Sequence, residues 1–433
     1  MLASALWLCA GPAMAQTAPT SQPQPQPQPQ PSTKPKPKPK PKPKPSADTG
    51  GDDDVDLSEI EKALGKDAKQ AAKNQPAAPM RIGPSLQSTN PDISFILDAA
   101  GAWFQPGNSL QFGGHDPARR GFTLQQVELG VQHAVDPYFR FDSFIVLLGS
   151  SIEVEEAYAS TTSLPYNLKL RAGQFYTNFG RQNPTHPHTW DFVDAPFALT
   201  RLFGGDGNRN LGVEVSYLTP LPWYVEVIDS MTEARGDDTA RSFLGDADFQ
   251  LKNPLLDLQN TLAVKQFFEL SENTSLLWGL SFVTGPNAAD KRTNIYATDL
   301  YLKYRPITHQ SYTIVSLQTE WMYRRRRAAM GLVQDLSGYA YLFWRFAQRW
   351  ATAARYEYGT PPLDRNFDRT ADDLDPFWTD HRHRVEVNTT FWPSEFSRLR
   401  LQGGVDLPGW RDPIWSVMLA FEVSVGPHAA HKF

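Results

Sequence analysis

The sequence predicts an all-β fold: a 16-stranded antiparallel transmembrane β-barrel, preceded by a disordered Pro/Lys-rich segment and a short helix. Three observations lead to this reading. From residue 92 onward, runs of roughly 10 residues alternate apolar with polar side chains between Gly, Pro, Asn and Asp breaks, the period of a strand with one greasy and one wet face. Sixteen such runs can be counted, an even number that suits a closed antiparallel cylinder. Their connections alternate between short and long, which a soluble sandwich or propeller has no reason to do.

The chain has 433 residues, 40% hydrophobic and 21% charged, and net charge −5. It is too polar for a bundle of membrane helices, each of which needs about 20 consecutive apolar residues. Residues 1–15 form the one long uncharged apolar stretch and read as a signal peptide, with Ala13-Met14-Ala15 as a small-x-small cleavage site. The only cysteine, Cys9, leaves with it, so the mature chain needs no disulfide or thiolate metal site. An exported protein is expected, and cytosolic metabolism is set aside.

Residues 16–50 carry Gln-Pro and then Lys-Pro repeats, with Lys34, Lys36, Lys38, Lys40, Lys42 and Lys44 spaced by proline. Proline at every second position blocks helix and sheet alike, so an extended polyproline II rod is expected. It serves either as a stiff spacer or as a basic arm touching peptidoglycan or lipid phosphates. In 51–90, an acidic patch at 52–54 precedes a short helix over 55–73 with Leu57, Ile60, Leu64 and Ala68 on one face and Asp54 or Asp56 as N-cap. A Pro-rich connector then leads to the barrel domain, 91–433.

The sixteen strands are read at 92–104, 121–135, 138–148, 151–161, 167–176, 210–218, 223–230, 261–270, 275–284, 294–304, 312–323, 334–346, 350–358, 382–391, 396–405 and 413–423. Turns after even-numbered strands are tight, as at Asp136-Pro137 and Pro393-Ser394, and these mark the periplasmic end. Loops after most odd-numbered strands are long: 105–120, 177–209, 231–260 and 359–381, with Gly149-Ser150 the exception. In the last strand Trp415, Val417, Leu419, Phe421 and Val423 share a face and should meet lipid. A charge there would cost about 2–4 kcal/mol near the midplane, so the charged faces must line a wet lumen.

The run LRAGQFYTNFG at 170–180, with Gly173-Gln174-Phe175 entering the longest loop, resembles the phosphate-selective porin O/P family. The resemblance covers roughly 92–433 and is strongest between 121 and 218. It implies a 16-stranded barrel, commonly a trimer, with the third external loop folded inward. Residues 16–90 have no place in that family's barrel, and 426–432 intervene between the last strand and Phe433.

If the third loop folds inward it brings Arg181, His186, His188, Asp191, Asp194 and Arg201 to a constriction. Lys169, Arg171, Arg384, Arg398 and Arg400 form an inward basic stripe, and Glu386 lines the same lumen with Glu153, Glu155, Glu226, Asp299 and Glu320. The barrel itself carries about −7 once the rod lysines and the acidic 46–80 segment are set apart, so phosphate selectivity is not carried over. Arg324, Arg325, Arg326 and Arg327 are expected to leave the sheet at an external rim and contact lipopolysaccharide phosphates. Histidine pairs at His186/His188, His381/His383 and His428/His431 lack a third ligand of clear spacing, so no metal site is assigned. No Ser-His-Asp arrangement stands out, and neither enzymatic activity nor a cofactor is expected.

The function expected is passive diffusion of ions or small hydrophilic solutes through a porin of a Gram-negative outer membrane, with the N-terminal segment in the periplasm. The partners are membrane lipid and lipopolysaccharide, a homotrimer as the family implies, and no nucleic acid. The alternatives are a barrel that tethers the envelope through Lys34 to Lys44, and a zinc-related uptake porin using the histidine loops.

Overall fold

The computed structural model of the chain describes residues 90–148, 151–246, 257–307 and 312–426. The expected signal, rod, helix 55–73 and His428/His431 lie outside these residues. The strands are β1 (Asp92–Gln105), β2 (Gly121–Ala134), β3 (Phe139–Leu148), β4 (Ser151–Thr161), β5 (Leu168–Tyr176), β6 (Arg209–Leu218), β7 (Tyr224–Thr232) and β8 (Gln259–Ser271). They continue as β9 (Thr274–Asn287), β10 (Lys291–Tyr304), β11 (Ile314–Ala328), β12 (Gly331–Ala347), β13 (Trp350–Gly359), β14 (Arg382–Ser394), β15 (Ser397–Pro408) and β16 (Ile414–Val425). Each pairs antiparallel with the next, and β1 pairs with β16 in a register that sets Leu97 opposite Val423 and Trp103 opposite Val417. The sheet is therefore closed, as the sequence predicts.

Alternation sorts the two faces. On β16, Trp415, Val417, Leu419 and Phe421 are exposed, whereas Met418 and Ala420 between them are buried. The same division holds on β11, where Leu317 points out and Ser316, Gln318 and Glu320 point in. Rows of exposed Leu, Val, Phe and Trp right round a closed barrel form an apolar surface that water would penalise and hydrocarbon accepts. Tyr138, Trp223 and Trp350 are exposed beside the tight turns, the position of an interfacial aromatic girdle.

Two features depart from the expected pattern. The connections 288–290 and 329–330 are tight turns at the long-loop end, because β9 to β12 extend their ladder instead of ending in loops. As a result Arg324, Arg325, Arg326 and Arg327 all remain in β11, paired in register with Asp335, Gln334, Val333 and Leu332. Alternation turns Arg324 and Arg326 inward, where Arg324 binds Asp335 and Asp372 and Arg326 binds Asp372 and Asp373. This corrects the expectation of a four-arginine rim: only Arg325 and Arg327 face outward.

The second departure is a pair of β-bulges. On β2 the register steps from Asp98 opposite Gln126 to Ala99 opposite Leu124, and on β4 from Phe144 opposite Glu156 to Ile145 opposite Val154. Each bulge leaves one residue unpaired and sets two consecutive polar side chains, Gln125 with Gln126 and Glu155 with Glu156, in buried positions.

Candidate functional site: the loop across the lumen

Loop 177–208 leaves β5 and turns into the barrel. Its entry depends on Gly180, whose φ of +60° is left-handed and whose missing Cβ would lie 2.6 Å from Glu320 Oε2. The Gly180 N–H donates to Ser281 Oγ on β9 at 3.0 Å. Glu320 on β11 then accepts the N–H groups of Arg181 and Gln182 at 2.9 and 2.6 Å and the Tyr339 hydroxyl at 2.9 Å. Asn183 closes the neck by donating to the Thr177 and Asn208 carbonyls and accepting the Asn208 N–H at 2.6 Å.

Beyond the neck the loop reaches wall after wall. His186 stands among Glu128 of β2 and Glu155 and Glu156 of β4, with His188 beside it. Burial would hold the His186 imidazole low, but Glu155 and Glu128 raise it well above its ordinary value. The Trp190 and Phe192 carbonyls accept from Arg398 and Arg400 on β15, and the Asp191 carbonyl accepts from Asn388 at 2.6 Å. Asp194 lies between Arg355 at 2.6 Å and Arg384 at 2.8 Å. Burial alone would raise its carboxyl; the two guanidinium groups bring it below the usual range.

A short helix, α1 (Phe197–Phe203), completes the loop, starting after Pro196 and ending at Gly204, whose φ is +108°. Its Phe197 N–H donates to Glu357 at 2.7 Å, while Arg201 stacks 3.8 Å over Trp378 and donates to the Thr360 carbonyl. Apolar packing fixes the same path. Phe179, Leu202 and Phe203 join Phe243 against Val283, Ile295 and Met322 of β9 to β11, and Val193 packs on Phe104 and Met418.

The expected site residues therefore divide. Asp194, Arg201, Arg384, Glu386 and Arg400 are buried in ion pairs: those of Asp194 and Arg201 tie the loop to the wall, whereas Glu386 and Arg400 pair with Arg355 and Asp98 on neighbouring strands. The basic stripe exists in position, but Arg384 is paired with Glu357 and Asp194, Arg398 with Glu422 and Arg400 with Asp98. Arg171 pairs with Glu214 at 2.9 Å and Lys169 is exposed nearby on β5. Asp191 is half-buried, and its desolvation outweighs Arg398 and Tyr341 to raise its carboxyl.

Arg181 differs from these. Its guanidinium lies 3.8 Å over Tyr301, and it lines a cavity of about 470 Å³ between the start of the loop and the wall of β7 to β10. Lys265, Glu226, Asp299, Asn178 and Phe267 line the same space, with Lys265 and Asp299 3.8 Å apart. Sequence reasoning placed Glu226 and Asp299 in the lumen but passed over Lys265. The alternation of β8, with Thr261 and Ala263 buried, was the available signal for it.

No family model matches the chain. An uncharacterized protein of Aquifex aeolicus (strain VF5) is 30% identical over 387 residues, covering 79% of this chain and 80% of the relative. Among solved structures, the outer membrane channel DcaP of Acinetobacter baumannii superposes with a TM-score of 0.53 at 12% identity, covering 77% of this chain and 97% of that one. Pseudomonas putida OprB gives 0.53 at 9% identity, covering 78% and 94%. An anion-selective porin from Comamonas acidovorans gives 0.50 at 11%, covering 78% and 99%. At these identities the likeness is one of fold.

Proposed function

This chain belongs to the same family as the Aquifex aeolicus protein, and we propose that its closed barrel is an outer-membrane porin that passes small hydrophilic solutes through a lumen narrowed by loop 177–208. One observation carries the reading. The loop runs from β5 to contacts with β15 and leaves, along β7 to β10, an open space where Arg181 and Lys265 stand with Glu226 and Asp299 among apolar side chains. A narrow section lined by both signs of charge sets a transverse field that a hydrated ion must cross, and selectivity follows from its width and charge.

The likeness to outer-membrane channels in fold and the apolar outer face support the same reading. Phosphate selectivity is not part of it: the arginines of β13 to β15 are neutralised by carboxylates, so they form no ladder for a free anion. Purified protein reconstituted in planar bilayers is expected to give discrete conductance steps, with a reversal potential in a salt gradient that reports the sign of the lumen field. Folded, inserted protein with no conductance at any voltage would overturn the proposal.

A further inference from the structure

We infer that Glu128, His186 and His188 form a binding site for a divalent transition metal of the zinc class, which clamps the inserted loop to β2 and β4. This inference goes beyond the conduction proposal and stands on the fold alone.

The donor atoms already converge. Glu128 Oε2 lies 3.1 Å from His188 Nδ1 and 3.4 Å from His186 Nδ1, and one ligand atom from each of the three residues falls within 4.8 Å of the others. A tetrahedral ion with bonds near 2.0–2.1 Å has ligand–ligand edges of about 3.3–3.4 Å, which the His186 separation of 3.4 Å meets and the His188 separation of 3.1 Å approaches within a few tenths of an ångström. Glu128 Oε2 is buried, and both imidazole nitrogens face it at short range.

The outer shell is also in place. His186 Nε2 faces Glu156 Oε2 at 2.8 Å, which fixes the ring so that Nδ1 is the ligating atom, the carboxylate–histidine–metal relation. Glu155 Oε2 hydrogen-bonds His186 Nδ1 at 3.0 Å, so an ion bound there would take the place of the shared proton and have Glu155 beside it. The Tyr176 hydroxyl donates to Glu155 Oε1 at 2.6 Å and the Tyr176 N–H to Glu156 Oε1 at 2.9 Å, orienting both carboxylates. The β4 bulge is what supplies two consecutive inward glutamates here.

Two imidazole nitrogens with carboxylate oxygen select zinc-class ions over calcium or magnesium, which take all-oxygen shells. The His186 side chain keeps 13% of its surface open, giving an ion a way in.

The test uses untagged full-length barrel, folded in detergent, stripped with a chelator and titrated with Co²⁺ and then Zn²⁺. The expected result is one Co²⁺ per chain with the visible bands of a low-coordinate site, displaced by Zn²⁺ and not by Mg²⁺ or Ca²⁺. Glu128→Gln preserves volume and should lower affinity by at least the roughly 10–100-fold that outer-shell changes cost. His186→Ala/His188→Ala should abolish binding, with heat-modifiable migration confirming a folded barrel. His381→Ala/His383→Ala, which removes the pair beside Tyr356 and Tyr358, should bind as wild type does. Absence of binding by the wild type, or binding unchanged without His186 and His188, overturns the inference.

Discussion

Asp194 Oδ1 lies 2.6 Å from Arg355 Nη2, an ion pair between the inserted loop and β13 in which neither side chain is open to water. Arg384 completes the contact at 2.8 Å, so one loop carboxylate balances two wall arginines. Removing one partner of a buried pair leaves uncompensated charge and costs about 3–5 kcal/mol. Asp194→Ala is therefore expected to lower the temperature at which the folded barrel loses its compact electrophoretic migration. Its single-channel conductance should rise as the loop loses its hold on β13 and β14. An unchanged transition temperature would show that the ion pair does not fasten the loop.

Glu320 has a different task, accepting two consecutive loop N–H groups and a tyrosine hydroxyl. A buried hydrogen bond contributes about 0.5–1.5 kcal/mol, and the orphaned N–H groups add their own desolvation penalty. Glu320→Ala should open the loop neck, seen as faster proteolysis within 177–208. Glu320→Gln keeps one acceptor oxygen and should fall between this variant and wild type.

Arg181 faces the 470 Å³ cavity with Lys265, Glu226 and Asp299. Arg181→Glu exchanges a positive for a negative charge at that section, so the reversal potential in a salt gradient should move toward cation preference. Because charge in a narrow, low-dielectric passage is weakly screened, the shift should persist at moderate salt. A reversal potential identical to wild type would place the ion path elsewhere.

Strand positions were legible because each strand repeats one physical rule, apolar toward lipid and polar toward the lumen, at period 2. Leu317 beside Gln318 and Phe421 beside Glu422 obey it. The bulges at Gln125 and Glu155 were not legible, since a single unpaired residue carries no glycine or proline to announce it. The arginine run misled for a related reason. Four charges look intolerable in a strand until Asp335, Asp372 and Asp373, two of them on a distant loop, are seen to meet the inward pair. Likewise the histidines of the loop showed no third ligand in sequence, because Glu128 lies 58 positions away from His186.

Leu419 lies on the outward face of β16 and is 55% exposed. Leu419→Arg is expected to cost about 2–4 kcal/mol of barrel stability if the site sits near the bilayer midplane. Folding yields into lipid vesicles measured against urea would show the loss, whereas Leu419→Phe should behave as wild type. Equal stability of the arginine variant would contradict a lipid-facing position.

Asp116, in the loop between β1 and β2, accepts the Ala195 N–H at 2.9 Å and the Gly113 N–H at 3.1 Å. Burial and the facing Asp194 carboxylate push its carboxyl from 3.8 up to about 7, against the Ala195 hydrogen bond and the Arg384 and Arg355 charges. An acid raised on folding binds more protons in the folded state than in the unfolded one throughout that interval. Its contribution is therefore complete below about pH 4, declines as pH rises toward about 7, and is absent above. Asp116→Asn keeps an acceptor oxygen for Ala195 and cannot ionise, so it should remove this slope and be the more stable protein above the window. Transition temperatures of both proteins measured across the interval decide the matter: curves that stay parallel would show that Asp116 ionises normally in the folded barrel.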